Sequence, residues 1–351
     1  MPTIDARGFA QAPGTTTSGI QEAIDALPTS GGTVQIPAGS FPITTALSLP
    51  VNRPCNLGGE AREATTITSA STSIDMLKVR GDYSGVRDLT LRGPSSGSGS
   101  VTAGRGIVIG RALADATGIP LIGCTLEDVS VDNTAGPGIY LRGTDESPSS
   151  ISIMSRMIGV RVTNARNYGC LYSKDGNTSW TFVNCAFNRG IDYNVFMAAA
   201  TGFRFYGCGV EEPLSQTNAW MYMSACAGTT IDGCWFENSS ASGDGSKYPC
   251  IGLSNGNNNN IRIRDTIFGR ITTGSTRCFG IAIGGATAAN NELGANLGDD
   301  YDIMVENCGF STAAAIGADY EISVSASCTT GGITVVGCRA MTRMAKIYDP
   351  G

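Results

Sequence analysis

The sequence predicts an all-β chain wound as a parallel β-helix of about ten or eleven rungs, closed at one end by an N-terminal helix. Three observations carry that prediction. Nine short segments share one frame: an apolar residue, any residue, then Gly, Asn or Asp, then a small or apolar residue. Their third positions are Asp88, Asp128, Gly159, Asn184, Gly207, Gly233, Asp265, Asn307 and Gly337, residue types that tolerate a left-handed backbone at a sharp bend. The residues that follow, from Leu89 to Cys338, step by 40, 31, 25, 23, 26, 32, 42 and 30. This is a unit of roughly 25 residues with loop insertions, as in a solenoid. The segments alternate apolar and polar, so the repeat is built of strands and not helices.

The elements follow in order. Residues 1–50 read as a cap. Ser18-Gly19-Ile20-Gln21 has the form of a capping box. Ile20, Ile24 and Leu27 make one apolar stripe, ended by Pro28 and Gly31-Gly32. Such a helix can cover the open end of a solenoid, where core and strand edges would otherwise meet water. Val34 and Ile36 open the first strand and Pro37-Ala38-Gly39 turns it. Residues 51–351 form the rungs of the same domain, each divisible into three strands. In one rung these are Thr181 to Val183, Cys185 to Phe187 after the bend, and Tyr193 to Met197. Alternation in the third strands sends Val195, Met197, Met221, Met223, Ile251, Leu253, Ile281, Ile283, Ile322 and Val324 inward. It sends Tyr140, Arg142, Asn194, Phe196, Trp220, Tyr222 and Glu321 outward. The excess spacing falls in three loops, Gly93 to Gly104, Gly143 to Ser155 and Ala286 to Asp302. The Asn257 to Asn260 tract reads as a left-handed corner.

Composition narrows the class. A net charge of −6 disfavours a nucleic-acid backbone as partner. No apolar run approaches the ~18 residues of a membrane span. Met1-Pro2-Thr3-Ile4-Asp5 does not form a secretory signal, which leaves a protein folded without export or one whose leader was removed. Of the 12 cysteines, five (Cys185, Cys208, Cys234, Cys308, Cys338) occupy the inward slot after the bend. They read as a column of small, reduced thiols. With no histidine and no Cys-x-x-Cys pair, neither a zinc site nor any other cofactor is expected. Asp299-Asp300-Tyr301-Asp302 reads as an acidic turn, its spacing unlike an EF-hand.

Two stretches carry a family resemblance. Gly19-Ile20-Gln21-Glu22-Ala23-Ile24-Asp25-Ala26-Leu27 and Gly31-Gly32-Thr33-Val34-Gln35-Ile36-Pro37-Ala38-Gly39-Ser40-Phe41 resemble the opening segment of the pectate-lyase-like superfamily. That superfamily holds polygalacturonases, pectate lyases, mannuronan epimerases and many bacteriophage tailspikes. The resemblance implies a single-stranded, right-handed parallel β-helix acting on acidic or complex polysaccharides, with the outer face of the third strand as groove. The departures bear on mechanism. Where members carry a Gly-Asp-Gly-x-x-Asp-Asp-like stretch, this chain has Ala12-Pro13-Gly14-Thr15-Thr16-Thr17. It has neither the histidine of polygalacturonases and epimerases nor the Arg-x-Pro-x-x-Arg of calcium pectate lyases. No known catalytic motif carries over, and fold alone does not give function.

The residues themselves offer candidates. Glu211 and Glu237 each lie three positions after their column cysteines, so they should stack one rung apart at the same corner. Roughly 5 Å between carboxylates suits a retaining glycosidase, and like charges that close raise one pKa, as a general acid needs. Asp192 could join them across the groove. Tyr140, Phe196, Trp220 and Tyr222 could stack on sugar rings, with Arg142, Lys174 and Arg189 near the same face. The expected function is therefore polysaccharide binding and glycosidic-bond hydrolysis by a carboxylate pair, acting outside the cell on a virion or as a secreted protein. A tailspike would also imply a homotrimer, although no heptads or C-terminal trimer element stand out. Two alternatives stay open: a non-catalytic glycan-binding or structural β-helix, and a uronate lyase using Lys174 and the arginines.

Overall fold

The structure, a computed structural model, describes residues 2–9, 15–94, 97, 99–111, 119–142, 151–174, 176–214, 219–237, 249–254, 257–269, 278–284, 300–310, 320–324, 332–340, 343–344 and 347–348. Loop residues 143–150 and 285–299, Asp299 among them, lie outside this set, as do Pro13 and Gly14. Contacts divide the chain into two compact units, Met1–Ala186 and Phe187–Gly351. Both are parallel β-helices. The third strands of the first unit are Leu47–Ser48, Leu77–Val79, Ile107–Ile109, Ile139–Leu141 and Leu171–Ser173. Those of the second are Val195–Ala198, Met221–Ser224, Ile251–Ser254, Cys278–Ile283, Tyr320–Val324 and Ile347–Tyr348. Among the described residues, the first unit thus carries five third strands and the second six.

Each bend lies where the frame puts it. All nine third positions have positive φ, from 49° at Asp128 to 67° at Gly337. The bend throws the next residue inward. Leu89, Val129, Val160 and the five cysteines are buried there, and Thr266 fills the same slot. The cysteines do more than fill space. Each thiol donates to the carbonyl two residues back, at 3.5 Å for Cys185 and Cys308 and 3.6 Å for Cys208. Thr266 Oγ1 makes the equivalent bond to the Arg264 carbonyl at 2.9 Å. A small side chain with a donor thus serves a buried acceptor at the bend.

The cores are registered apolar columns. In the first unit Val34, Leu57, Val86, Leu126, Met157 and Phe182 pair in sequence. In the second, Val195, Met221, Ile251, Ile281 and Ile322 do so. All ten third-strand residues expected inward are buried. Phe236, Phe268 and Phe310 stack at 5.1 Å and 4.9 Å between ring centroids. Asn257 and Asn260 have φ of 59° and 50°, the left-handed corner expected.

The cap differs from its sequence reading. The helix is short, Ile20–Asp25, and begins from Gly19 at φ 78° with no side-chain cap. Ser18, itself at φ 53°, donates instead to the Pro42 carbonyl. Gln21 ties the helix to the first third strand through Ser48 N–H at 2.7 Å and the Ser48 carbonyl at 3.2 Å. The left-handed Gly19 turns the chain too sharply for a capping box, whereas Ile20, Ile24 and Leu27 are buried as the stripe requires. Among the described residues no helix is long and apolar enough to cross a membrane.

Candidate functional site

In the second unit the frame fixes where side chains point. After the bends at Gly207 and Gly233, both at φ 60°, Cys208 and Cys234 go in, Gly209 and Trp235 out, and Val210 and Phe236 in. Glu211 and Glu237 then point out. Strands Gly209–Glu211 and Trp235–Glu237 are parallel, with Glu211 opposite Glu237. Neighbouring strands lie about 4.8 Å apart, so the two carboxyl groups leave adjacent rungs side by side.

Their surroundings differ. Burial pushes the Glu211 carboxyl above its ordinary value, and the charges of Glu237 and Glu212 add to the effect. Asn188 Nδ2 donates to Glu211 Oε2 at 3.3 Å. Trp235 Nε1 donates to Glu237 Oε2 at 2.8 Å. Arg189 reaches the third acid, Glu212, at 3.5 Å, and among the described residues Glu211 has no ion pair. The corner is built firmly. Buried Asn194 donates to the Glu211 carbonyl at 2.7 Å and accepts from Gly190 N–H at 2.9 Å. Gly190 has no room for a side chain, since a Cβ would lie 1.9 Å from the Tyr193 carbonyl oxygen.

The aromatic row divides. Phe196 and Tyr222 are register partners on neighbouring third strands. Their rings stack at 5.5 Å and 7°, and Tyr193 leans on both. All three are partly exposed. Trp220, expected outward, is 1% exposed. It precedes the strand Met221–Ser224 and lies in a turn, where strand alternation does not set direction. Asn194 is buried for the same reason. Glu321, also expected outward, is 1% exposed within the strand Tyr320–Val324. Tyr140 is in a strand, yet 0% exposed. The Arg105 guanidinium lies 4.4 Å from its ring centre and Tyr172 stacks beside it at 5.9 Å. Arg105 is held by Asp75 through two hydrogen bonds of 2.8 Å. These two rings therefore do not present faces to solvent.

Other candidates are scattered. Asp192 is partly exposed in the turn before Tyr193. Arg142 and Lys174 belong to the first unit. Both are partly exposed at the ends of their third strands, with backbone N–H groups bonded to the Ile109 and Leu141 carbonyls. Asp300 is a buried strut, accepting from Asn258 N–H and Nδ2 at 3.0 Å and from Gly284 N–H at 3.1 Å. One residue was missed from the sequence, Trp235. It is 38% exposed beside Glu237, and its ring lies 3.0 Å from where a Cβ on Gly269, in the next rung, would be. Alternation from Cys234 would have found it.

No protein-family profile matches the sequence. No curated protein matches it either. Solved structures do match. ORF18 of Geobacillus virus E2 is similar over 98% of this chain and 63% of its own, at 14% identity and a TM-score of 0.64. This chain thus spans a little under two thirds of that protein. The Dettilon tailspike protein gp208 is similar over 99% of this chain and 68% of its own, at 13% identity and a TM-score of 0.55. The fold is the right-handed parallel β-helix that the pectate-lyase-like resemblance implied.

Proposed function

We propose that this chain binds a polysaccharide and hydrolyses its glycosidic bonds, with Glu211 as general acid and Glu237 as nucleophile. The observation that carries the reading is the register of the two glutamates, together with the raised carboxyl of one of them. Strand spacing favours the retaining geometry, in which carboxyl groups are about 5–5.5 Å apart. In the first step the Glu211 O–H gives its proton to the glycosidic oxygen as the C–O bond breaks. Glu237 meanwhile attacks the anomeric carbon. In the second step Glu211, now a carboxylate, takes a proton from the water that displaces the sugar from Glu237. One water is added across one bond. Trp235 offers a ring face to the sugar beside the pair, and its N–H orients Glu237.

The fold shared with a tailspike supports an extracellular or virion-associated setting and a depolymerase role. The homotrimer such a role implies is read by light scattering. The primary test is a reducing-end assay on a panel of acidic and bacterial surface polysaccharides, with ultraviolet absorbance followed in parallel. New reducing ends without absorbance, lost in Glu211→Gln and Glu237→Gln, support the hydrolase. Absorbance moves the assignment to a lyase around Lys174 and the arginines. Binding without cleavage by folded protein moves it to a glycan-binding or structural β-helix.

A further inference from the structure

The first unit carries a groove of about 500 Å³ on the outer face of its post-bend strands, a size usual for small-ligand sites. Two outward columns floor it. Thr66, Thr90, Ser130 and Arg161 are register partners in one; Arg92, Asp132 and Thr163 are in the other. The floor is thus hydroxyl-rich, with two guanidinium groups standing in it. Arg62 forms a wall. Its carbonyl accepts from Thr90 Oγ1 at 2.7 Å, and its guanidinium reaches the Gly159 carbonyl at 3.0 Å, 97 residues away.

The charges do not cancel. Asp132 is committed, accepting from Asn133 Nδ2 at 3.1 Å and Asn164 Nδ2 at 3.2 Å, with Arg92 3.6 Å away. Glu63 is bound to Arg62 at 3.0 Å and points largely to water. Arg92 is 56% exposed. Arg161 is exposed; among the described residues its side chain makes no ion pair or hydrogen bond, and its charge adds to the hydrogen bond and charge of Arg62 in lowering the Glu63 carboxyl. Three guanidinium groups and two engaged carboxylates line the groove, and a further carboxylate, Asp128, lies 3.7 Å from Arg62 outside the lining. Arg92 and Arg161 are the cations left facing the groove, in a chain whose net charge is −6. Planar guanidinium forks match carboxylates bidentately, and threonine and serine hydroxyls both donate to and accept from sugar hydroxyls. Among the described residues no aromatic ring lines this groove, so recognition here rests on charge and hydrogen bonds.

We propose that this groove is a second saccharide site, selective for a carboxylate-bearing sugar, with the carboxylate taken by Arg161 and Arg92. It does not depend on the glutamate pair being catalytic. The test is calorimetric titration of the full chain with trigalacturonate, a mannuronate trimer and sialyllactose, against maltotriose as neutral control. At least one acidic probe should bind, with maltotriose at least tenfold weaker. Arg161→Ala and Arg92→Ala should each weaken binding roughly tenfold, as loss of a charge-assisted pair predicts. The double variant should abolish it with an unchanged melting curve. Arg161→Lys should fall between. Glu211→Gln and Glu237→Gln should bind as the parent does. Failure of all three acidic probes overturns the proposal. So does equal binding of maltotriose, or sulfate matching the acidic sugars in affinity, which would mark a simple anion site. If the glutamate variants lose binding and the arginine variants keep it, the acidic sugar sits at the glutamate pair; the groove proposal falls and the hydrolase reading stands.

Discussion

Four residues past the bend, the first unit turns Arg92, Asp132 and Thr163 outward, and the second turns Asn188, Glu211 and Glu237 outward. The backbone is the same in both: a left-handed residue, an inward small residue, one outward, one inward, one outward. The chemistry differs in sign. The first unit sets guanidinium groups over a floor of hydroxyls. The second sets carboxyl groups beside an indole. The inward slots have little freedom, because each must pack on the rungs before and after it. The outward slots carry no such constraint, and there the two units part. The tyrosines teach the same lesson. Tyr140 and Tyr222 hold equivalent outward places in their strands, yet Tyr140 lies under Arg105 and Tyr222 keeps a partly open face.

The strongest way to break the comparison is to remove one carboxyl of the second unit. Glu211→Gln should lower hydrolysis by about 10²–10⁴-fold, the usual weight of a general acid. Arg161→Ala should leave turnover at saturating substrate near that of the parent. Equal losses in the two variants, measured by initial rates, would erase the division of labour. A change to the inward side should cost stability in place of activity. Phe268 is buried and stacked on both faces, so Phe268→Ala should lower unfolding free energy by about 3–5 kcal/mol in a denaturant titration.

The bend itself is a smaller lever. No atom within 4 Å obstructs a Cβ at Gly233, but its φ is +60°. Gly233→Ala should therefore cost about 1–2 kcal/mol of backbone strain alone, read by the same titration. The smallest effect is the pH dependence of Glu211. A carboxyl whose folded pKa exceeds its unfolded one binds its proton more tightly when folded. Its contribution to stability is full below the ordinary value of 4.5 and falls as pH rises through the raised folded value. The melting temperature of the parent minus that of Glu211→Gln should decline across that window. A flat difference would mean that the corner does not perturb Glu211.

Much of the scaffold is legible because it is local. The left-handed tolerance of Asp88 or Asn307 is a property of one residue, and the inward run of Val195 and Met197 follows from alternation. What escapes is set by residues far away in sequence. Arg105, held by Asp75, covers Tyr140 from 35 positions earlier. Arg62 closes its groove by reaching Gly159. The helix start was misread for a different reason: Gln21, which looks like half of a capping box, is used to bind Ser48. In the candidate site, the stacking of Glu211 on Glu237 follows from counting three residues past each cysteine. Trp235 obeys the same count, but its position beside Glu237 becomes meaningful only once the indole hydrogen bond is seen.

The column of thiols has a consequence for how this molecule comes apart. A thiol that donates to its own bend carbonyl, in the dry interior, is shielded from alkylating reagents for as long as that bend is closed. Outside the column, burial likewise pushes the Cys55 and Cys124 thiols up to about 12, which keeps them protonated for as long as they stay buried. Solenoid rungs touch chiefly their neighbours and can open separately. Each cysteine therefore acts as a clock for its own turn of the coil. Its labelling rate in native buffer would map, rung by rung, where unwinding begins.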